Sequence, residues 1–133
     1  MLKAKDIMTK EVVSVRRDTP VEEALKLLVE KKITGIPVIK EDVTLVGIVT
    51  EKDLLGLFHG PEDMKKRPVE DFMTRPAVHF DEDDNLDEVC ECLLKVTFRR
   101  APVTKEGKVV GIVSRSDVLK CILEDTAREE IVQ

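Results

Sequence analysis

Aromatic side chains are scarce in this sequence. Its 133 residues include no tryptophan, no tyrosine and only four phenylalanines, so aliphatic side chains must fill the core. Proteins that bind single-stranded nucleic acid stack its bases on exposed aromatic rings, which this composition does not supply. The formal net charge of −5 also disfavours nucleic acid and anionic membranes, because both attract a basic surface. We therefore expect neither as a partner.

Signatures of several other protein classes are missing as well. Three cysteines, an odd number, give no disulfide framework. Cys90 and Cys92 diverge on a predicted helix and no second pair exists, so we expect no metal site. No apolar run reaches the length of a membrane span and the first residues do not resemble a signal peptide, which favours the cytoplasm. Gly-rich phosphate loops and nucleophile–base pairs are absent, so we expect no enzyme.

An internal repeat is the main feature that the sequence does contain. Three motifs occur twice in the same order: Asp-x-Met-Thr at 6–9 and 71–74, Pro-Val at 37–38 and 102–103, and Gly-Ile-Val-[Thr/Ser]-x-x-Asp at 47–53 and 111–117. The first two recur after 65 residues and the third after 64, so one residue is lost near Gly107. These offsets predict four parts: repeat 1 (1–60), a linker (61–68), repeat 2 (69–124) and a charged tail (125–133).

Each repeat shows the pattern strand, helix, strand, strand, helix. The strands are predicted at 12–15, 36–39 and 45–49 in repeat 1, and at 77–80, 101–103 and 109–113 in repeat 2. Thr19 is the predicted N-cap of the first helix, with Pro20 as its first residue and Glu22 completing a capping box. Asp84 is predicted to cap the corresponding helix of repeat 2. The predicted fold class is α/β (α+β), and we expect the two repeats to pack through their sheets about a pseudo-two-fold axis.

The most distinctive sequence motif of each repeat lies where its last predicted strand meets its last predicted helix. Thr50 precedes Asp53 by three residues, and Ser114 precedes Asp117 by the same spacing. This spacing is typical of a helix N-cap, and capping alone is one interpretation of both pairs.

Together the repeated motifs resemble a CBS-domain pair, also called a Bateman module, from Asp6 to about Leu123. The resemblance implies a cleft between the repeats that binds AMP, ADP, ATP or S-adenosylmethionine, with no cofactor. It implies that Asp53 with Thr50, and Asp117 with Ser114, hold the ribose. It also implies that a basic pair ahead of the Pro-Val strand reaches phosphate. The remaining candidate ligand-binding residues under this resemblance are Thr19, Ile36, Pro37, Ala101, Pro102, Val13 and Val78.

Repeat 2 has the basic pair Arg99-Arg100, whereas repeat 1 has Thr34-Gly35 at those positions. This difference weakens the case for phosphate binding by repeat 1. The chemistry agrees with the implied roles, because a carboxylate accepts hydrogen bonds from two vicinal hydroxyls and guanidinium groups pair with phosphate oxygens. The sequence leaves open whether the arginines serve the Asp117 site or reach across the pseudo-dyad to the Asp53 site, and we favour the Asp117 site. Alternatively, the arginine pair is solvated or bridges to acidic neighbours.

Two functions of different kinds fit these observations. The first is a regulatory module that senses an adenosine-containing ligand and acts through its own oligomer or a separate regulated protein. The second is a structural dimerisation adaptor whose clefts are empty. We expect a homodimer in both cases, because the helices with Leu54 to Phe58 and Val118 to Leu123 carry more apolar surface than two short helices need internally.

Overall fold

The computed structural model describes residues 1–96 and 99–124. Two compact units divide the chain: Val13–Ala77, here the continuous unit, and Met1–Val12 together with the chain from Val78 onward, here the split unit. The boundaries of these units do not coincide with those of the sequence repeats. The predicted tail at 125–133 lies outside the described residues.

The described elements alternate short strands with helices in both units. In chain order they are α1 (Ala4–Ile7), β1 (Val15–Arg16), α2 (Val21–Lys31), β2 (Gly35–Ile39), β3 (Leu45–Thr50), α3 (Glu51–Leu54), β4 (Phe80–Asp81), α4 (Leu86–Lys95), β5 (Arg100–Lys105), β6 (Lys108–Ser114) and α5 (Arg115–Leu123). Three 3₁₀ helices, Leu55–His59, Glu62–Lys66 and Val69–Asp71, follow α3. The predicted order of strand, helix, strand, strand, helix is confirmed in both units. Across the described residues, no helix is both long and apolar enough to cross a membrane.

Each unit contains one sheet of three strands. In the continuous unit β1 pairs with β2 in parallel and β2 pairs with β3 antiparallel, and the split unit repeats this with β4, β5 and β6. The middle strands are the most buried, because they are paired on both sides and packed against aliphatic side chains. The residue lost from the second repeat lies in the β5–β6 turn, where Glu106 and Gly107 both have positive φ. Such a two-residue turn matches the twist of a hairpin.

Both first strands and the helix starts that follow them differ from the prediction. β1 is Val15–Arg16, later than the predicted 12–15, and α2 begins at Val21 with Pro20 as its N-cap. The hydroxyl of Thr19 instead accepts a hydrogen bond from the Arg16 amide at 3.0 Å, so it closes the turn after β1 and does not cap the helix. Glu22 consequently takes no part in a capping box.

The same correction applies in the split unit. β4 is Phe80–Asp81, and α4 begins at Leu86 with Asn85 at its N-cap position. The Asp84 carboxylate accepts from the Asp81 amide at 2.9 Å. A polar side chain three residues after a strand end can bond back to that strand as well as forward to a helix, and the sequence pattern alone does not distinguish the two.

Two lead segments, residues 1–12 and 66–77, dock in the same way, one in each unit. Each backbone hydrogen bond that holds one segment has a counterpart shifted by 65 residues in the other unit. The Ala4 amide donates to the Asp84 carbonyl at 2.9 Å, as the Val69 amide donates to the Thr19 carbonyl at 2.8 Å. The Leu86 amide donates to the Leu2 carbonyl at 3.0 Å, as the Val21 amide donates to the Arg67 carbonyl at 2.8 Å. In the split unit the exposed Lys5 ammonium lies 3.2 Å from the Asp83 carboxylate. The hydrogen bond between the two side chains lowers the pKa of the Asp83 carboxyl and raises the pKa of the Lys5 ammonium.

Candidate functional site

The turn between β3 and α3 forms a reciprocal capping box. The Asp53 amide donates to Thr50 Oγ1 at 3.3 Å, and the Thr50 amide donates to Asp53 Oδ2 at 2.8 Å. The Thr50 hydroxyl also donates to Oδ2 at 2.9 Å. Both side chains are half-buried. The predicted cap is therefore confirmed, and it holds the Asp53 carboxylate in a single orientation.

The turn between β6 and α5 has the same construction. The Ser114 amide and hydroxyl donate to Asp117 Oδ2 at 2.8 and 3.0 Å, and the Asp117 amide donates to the Ser114 hydroxyl at 3.2 Å. One oxygen of each carboxylate, Oδ2, accepts the capping bonds, and the other, Oδ1, takes no part in the cap.

The two Oδ1 atoms have different surroundings. Thr74, in the second lead segment, donates its hydroxyl to Asp53 Oδ1 at 2.9 Å. Thr9 occupies the equivalent place in the first lead segment, yet among the described residues no side chain donates to Asp117 Oδ1. Thr74 was not predicted as a site residue. The signal for it was present, because it ends the second Asp-x-Met-Thr motif.

Backbone pairing brings both threonines to the turns. Thr74 exchanges two backbone hydrogen bonds with Ile48 on β3, at 2.8 and 3.0 Å, and Thr9 exchanges two with Ile112 on β6, at 2.8 and 2.9 Å. Each lead segment thus lies along the outer edge of the last strand of its unit, two residues before the hydroxyl that caps the helix. The position of the threonine is set by the strand that carries the capping residue.

The arginine pair lies beside the second turn. Arg100 begins β5 and is paired in register with Ser114, and the Arg115 amide donates to the Arg99 carbonyl at 3.0 Å. Both arginine side chains are exposed, and neither forms a salt bridge with another described residue. Two exposed cations therefore lie on the strand that pairs with the capping residue Ser114 or directly before it.

The first turn repeats this backbone arrangement without the charge. Gly35 is paired in register with Thr50, and the Glu51 amide donates to the Thr34 carbonyl at 3.0 Å. The two turns thus have the same backbone geometry. They differ in charge, because at these two positions the split unit has two arginines and the continuous unit has a threonine and a glycine.

The remaining predicted ligand-binding residues lie in several environments. Ile36 belongs to the core of the continuous unit and Ala101 to the core of the split unit, both fully buried. Pro37 and Pro102 are also fully buried. Thr19 is engaged with Arg16, as described above. Val13 is half-buried and Val78 is 48% exposed.

Each unit also presents an apolar helical surface. In the split unit a shallow groove between α4 and α5 is lined by Leu94, Leu119 and Ile122, which are 78%, 64% and 48% exposed. In the continuous unit a smaller groove is lined by Val29 and Leu55, 70% and 72% exposed. These faces occupy equivalent positions on the two units. No group of metal-ligating side chains occurs among the residues that the structure describes.

A family model described as CBS domain matches the chain twice, at residues 4–60 and 69–124. These matches cover most of the sequence, so the chain belongs to the CBS-domain family. Both matched stretches contain one of the capped turns described above.

Individual relatives and solved structures agree with this assignment. The chain is 40% identical over 110 residues to the inosine-5′-monophosphate dehydrogenase of Aquifex aeolicus, which covers 81% of this chain and 22% of the enzyme. CBSX2 of Arabidopsis thaliana, solved in complex with AMP, is 36% identical with a TM-score of 0.82, covering 95% of this chain and 99% of that one. The CBS domain pair of protein MJ0100, solved with 5′-methylthioadenosine and S-adenosyl-L-methionine, is 28% identical with a TM-score of 0.75, covering 92% and 96%.

Several relatives are considerably longer than this chain. It spans 44%, 22% and 58% of the length of three curated relatives, the dehydrogenase among them.

Proposed function

We propose that this chain is a regulatory module, without chemistry of its own, that binds an adenosine-containing ligand at its capped turns. The candidate ligands are AMP, ADP, ATP and S-adenosylmethionine. The observation that carries the proposal is the pair of half-buried aspartates, each fixed by a capping box so that one carboxylate oxygen is directed away from the cap. Because such an oxygen is already oriented, it accepts a sugar hydroxyl without an ordering cost.

Phosphate recognition falls to the second turn in this proposal. Arg99 and Arg100 lie beside Ser114 with no salt bridge to another described residue, and guanidinium groups form charge-assisted bonds with phosphate oxygens. Ser114, Asp117, Arg99 and Arg100 therefore form the stronger of the two sites. The adenosine compounds bound by CBSX2 and MJ0100 support this ligand class.

Binding would be transmitted through assembly geometry. We propose a homodimer whose interface uses the apolar faces of the helices, since contiguous exposed apolar surface normally marks an interaction site. A ligand that binds one dimer geometry better than another shifts the population toward that geometry. A separate regulated protein is the other route by which occupancy would be passed on.

Two measurements test the proposal directly. Mass spectrometry of small molecules released from the purified, denatured protein should detect an adenosine compound. Thermal unfolding should shift upward with added nucleotide, since a ligand at a hundred times its Kd stabilises the folded state by about 2.7 kcal/mol. The Asp53→Asn/Asp117→Asn double variant is the control and should lose most of this shift. Absence of copurified compound and of any shift in the wild type would refute ligand sensing.

The structural adaptor is the second candidate, and the exposed apolar faces of both units favour it. Under that function the dimer forms and the turns are only helix caps. Light scattering that shows a stable dimer, together with nucleotide titrations that show no heat and no thermal shift, would identify the adaptor.

A further inference from the structure

The two capped aspartates differ in how many hydrogen bonds they already accept. A carboxylate has about four lone-pair sites, two on each oxygen. In both turns the capping residue fills Oδ2 with its amide and its hydroxyl. At Asp53 the Thr74 hydroxyl takes a third site, on Oδ1. One site therefore remains on Asp53 Oδ1, whereas described residues leave two on Asp117 Oδ1.

Thr74 is not free to move away from Asp53. Its backbone is held by two hydrogen bonds to Ile48, and the preceding residue, Met73, packs against Gly47. Thr9 has the same two backbone bonds, to Ile112, and the preceding Met8 packs against Gly111. The difference between the turns therefore lies in the threonine side chain and not in how its segment is anchored.

A ribose presents two vicinal hydroxyls, the 2′ and the 3′, and a carboxylate oxygen with two vacant sites can accept both. An oxygen with one vacant site accepts a single hydroxyl. We infer that Thr74 is a specificity-determining residue that makes the Asp53 turn a one-hydroxyl acceptor, while the Asp117 turn accepts the complete cis-diol. This inference rests on the proposed function, that is, on adenosine compounds binding at the capped turns.

The consequence is a difference in sugar discrimination. At the Asp117 turn, removing the 2′-hydroxyl deletes a hydrogen bond to a charged acceptor. At the Asp53 turn the single vacant site is satisfied by the 3′-hydroxyl, so ribose and 2′-deoxyribose are distinguished weakly. Replacing Thr74 by the isosteric valine returns the second site on Oδ1 without adding bulk.

The test isolates one turn at a time in the full chain. In an Asp117→Asn background, calorimetric titration with AMP and 2′-deoxy-AMP should give similar Kd values. Adding Thr74→Val should raise the ratio of the Kd for 2′-deoxy-AMP to that for AMP roughly tenfold, the low end of the effect of one hydrogen bond to a charged group. Thr74→Ser keeps the hydroxyl and should restore the original ratio, which a merely structural role of the threonine would not explain.

The matched control uses the other turn. In an Asp53→Asn background the ratio of the Kd for 2′-deoxy-AMP to that for AMP should be high before any further substitution. Thr9→Val should leave this ratio unchanged, because the Thr9 hydroxyl does not reach Asp117. The inference is overturned if AMP binds but Thr74→Val leaves the ratio unchanged, or if Thr9→Val shifts it equally. Failure of wild-type protein to bind AMP, 2′-deoxy-AMP and adenosine would overturn the proposed function and this inference with it. Unfolding by denaturant verifies that each variant is folded before titration.

Discussion

The sulfur of Met73 packs against the backbone of Gly47, where a side chain would otherwise stand. A Cβ built on Gly47 would lie 2.8 Å from that sulfur and 2.9 Å from the carbonyl oxygen of Thr74. The same relationship joins Met8 to Gly111 in the split unit. In each unit, therefore, the glycine of one repeated motif packs against the methionine of another. The absence of a glycine side chain leaves room for the lead segment to pair with the strand.

This contact predicts that Gly47→Ala and Gly111→Ala destabilise the protein. A methyl group would displace both the methionine and the paired backbone, and overpacking of this kind costs about 1–3 kcal/mol. Gly56→Ala is the matched control, because nothing lies within 4 Å of a Cβ at that position. Denaturant unfolding measures all three. Equal stability of Gly47→Ala and Gly56→Ala would show that the lead segment shifts to accommodate the methyl group without lowering the free energy of unfolding.

Much of the architecture could be predicted because it depends on local patterns. The order of elements, the hairpin at Gly107 and the caps by Thr50 and Ser114 follow from residues adjacent in sequence. The starts of α2 and α4 could not be predicted reliably, since the side chains of Thr19 and Asp84 had two possible backbone partners.

The pairing of lead segments could not be predicted for a different reason. The bond from Thr74 to Asp53 joins residues 21 positions apart, and neither sequence motif indicates the other as its partner. Both residues lie in the repeated motifs, but only the folded sheet shows that Thr74 contacts the turn of the first repeat, although it lies in a motif of the second.

The arginine pair predicts a dependence of affinity on phosphate number. ATP should bind more tightly than adenosine, and its Kd should rise more steeply with salt, because exposed charge pairs are screened. Arg99→Ala/Arg100→Ala should flatten both differences, as isothermal titration at two salt concentrations would show. Lys65→Ala/Lys66→Ala, which removes the same charge from the 3₁₀ helix Glu62–Lys66, should behave as wild type. Equal affinity of the wild type for adenosine and ATP would contradict this role.

The aspartates predict unequal effects of alanine substitution. Each hydrogen bond to a charged acceptor contributes about 1.5–3 kcal/mol, so loss of the carboxylate at an occupied turn should weaken binding roughly tenfold to several hundredfold. We expect the larger loss for Asp117→Ala, because in our proposal this turn is the stronger of the two sites. Calorimetry with the native ligand checks the order. If Asp53→Ala loses binding and Asp117→Ala does not, the first turn is the main site.

The exposed helix faces predict dimerisation. Leu119→Glu should shift the protein toward monomer in light scattering at micromolar concentration, because a carboxylate at the centre of an apolar contact loses its water. Val43→Glu is the control, since Val43 is 42% exposed in the β2–β3 loop and lines neither apolar groove. A wild-type protein that is monomeric with and without nucleotide would rule out this interface.

The discontinuous make-up of the split unit affects the order in which the protein can fold. All strands of the continuous unit lie within residues 13–77, so this unit has its full sheet once that stretch is synthesised. In the split unit, by contrast, Thr9 pairs with Ile112 on β6, more than 100 residues along the chain. Contacts between such distant positions form slowly, since a long loop must close first. During synthesis, residues 1–12 therefore cannot complete this pairing until β6 has emerged, and the split unit is completed after the continuous unit.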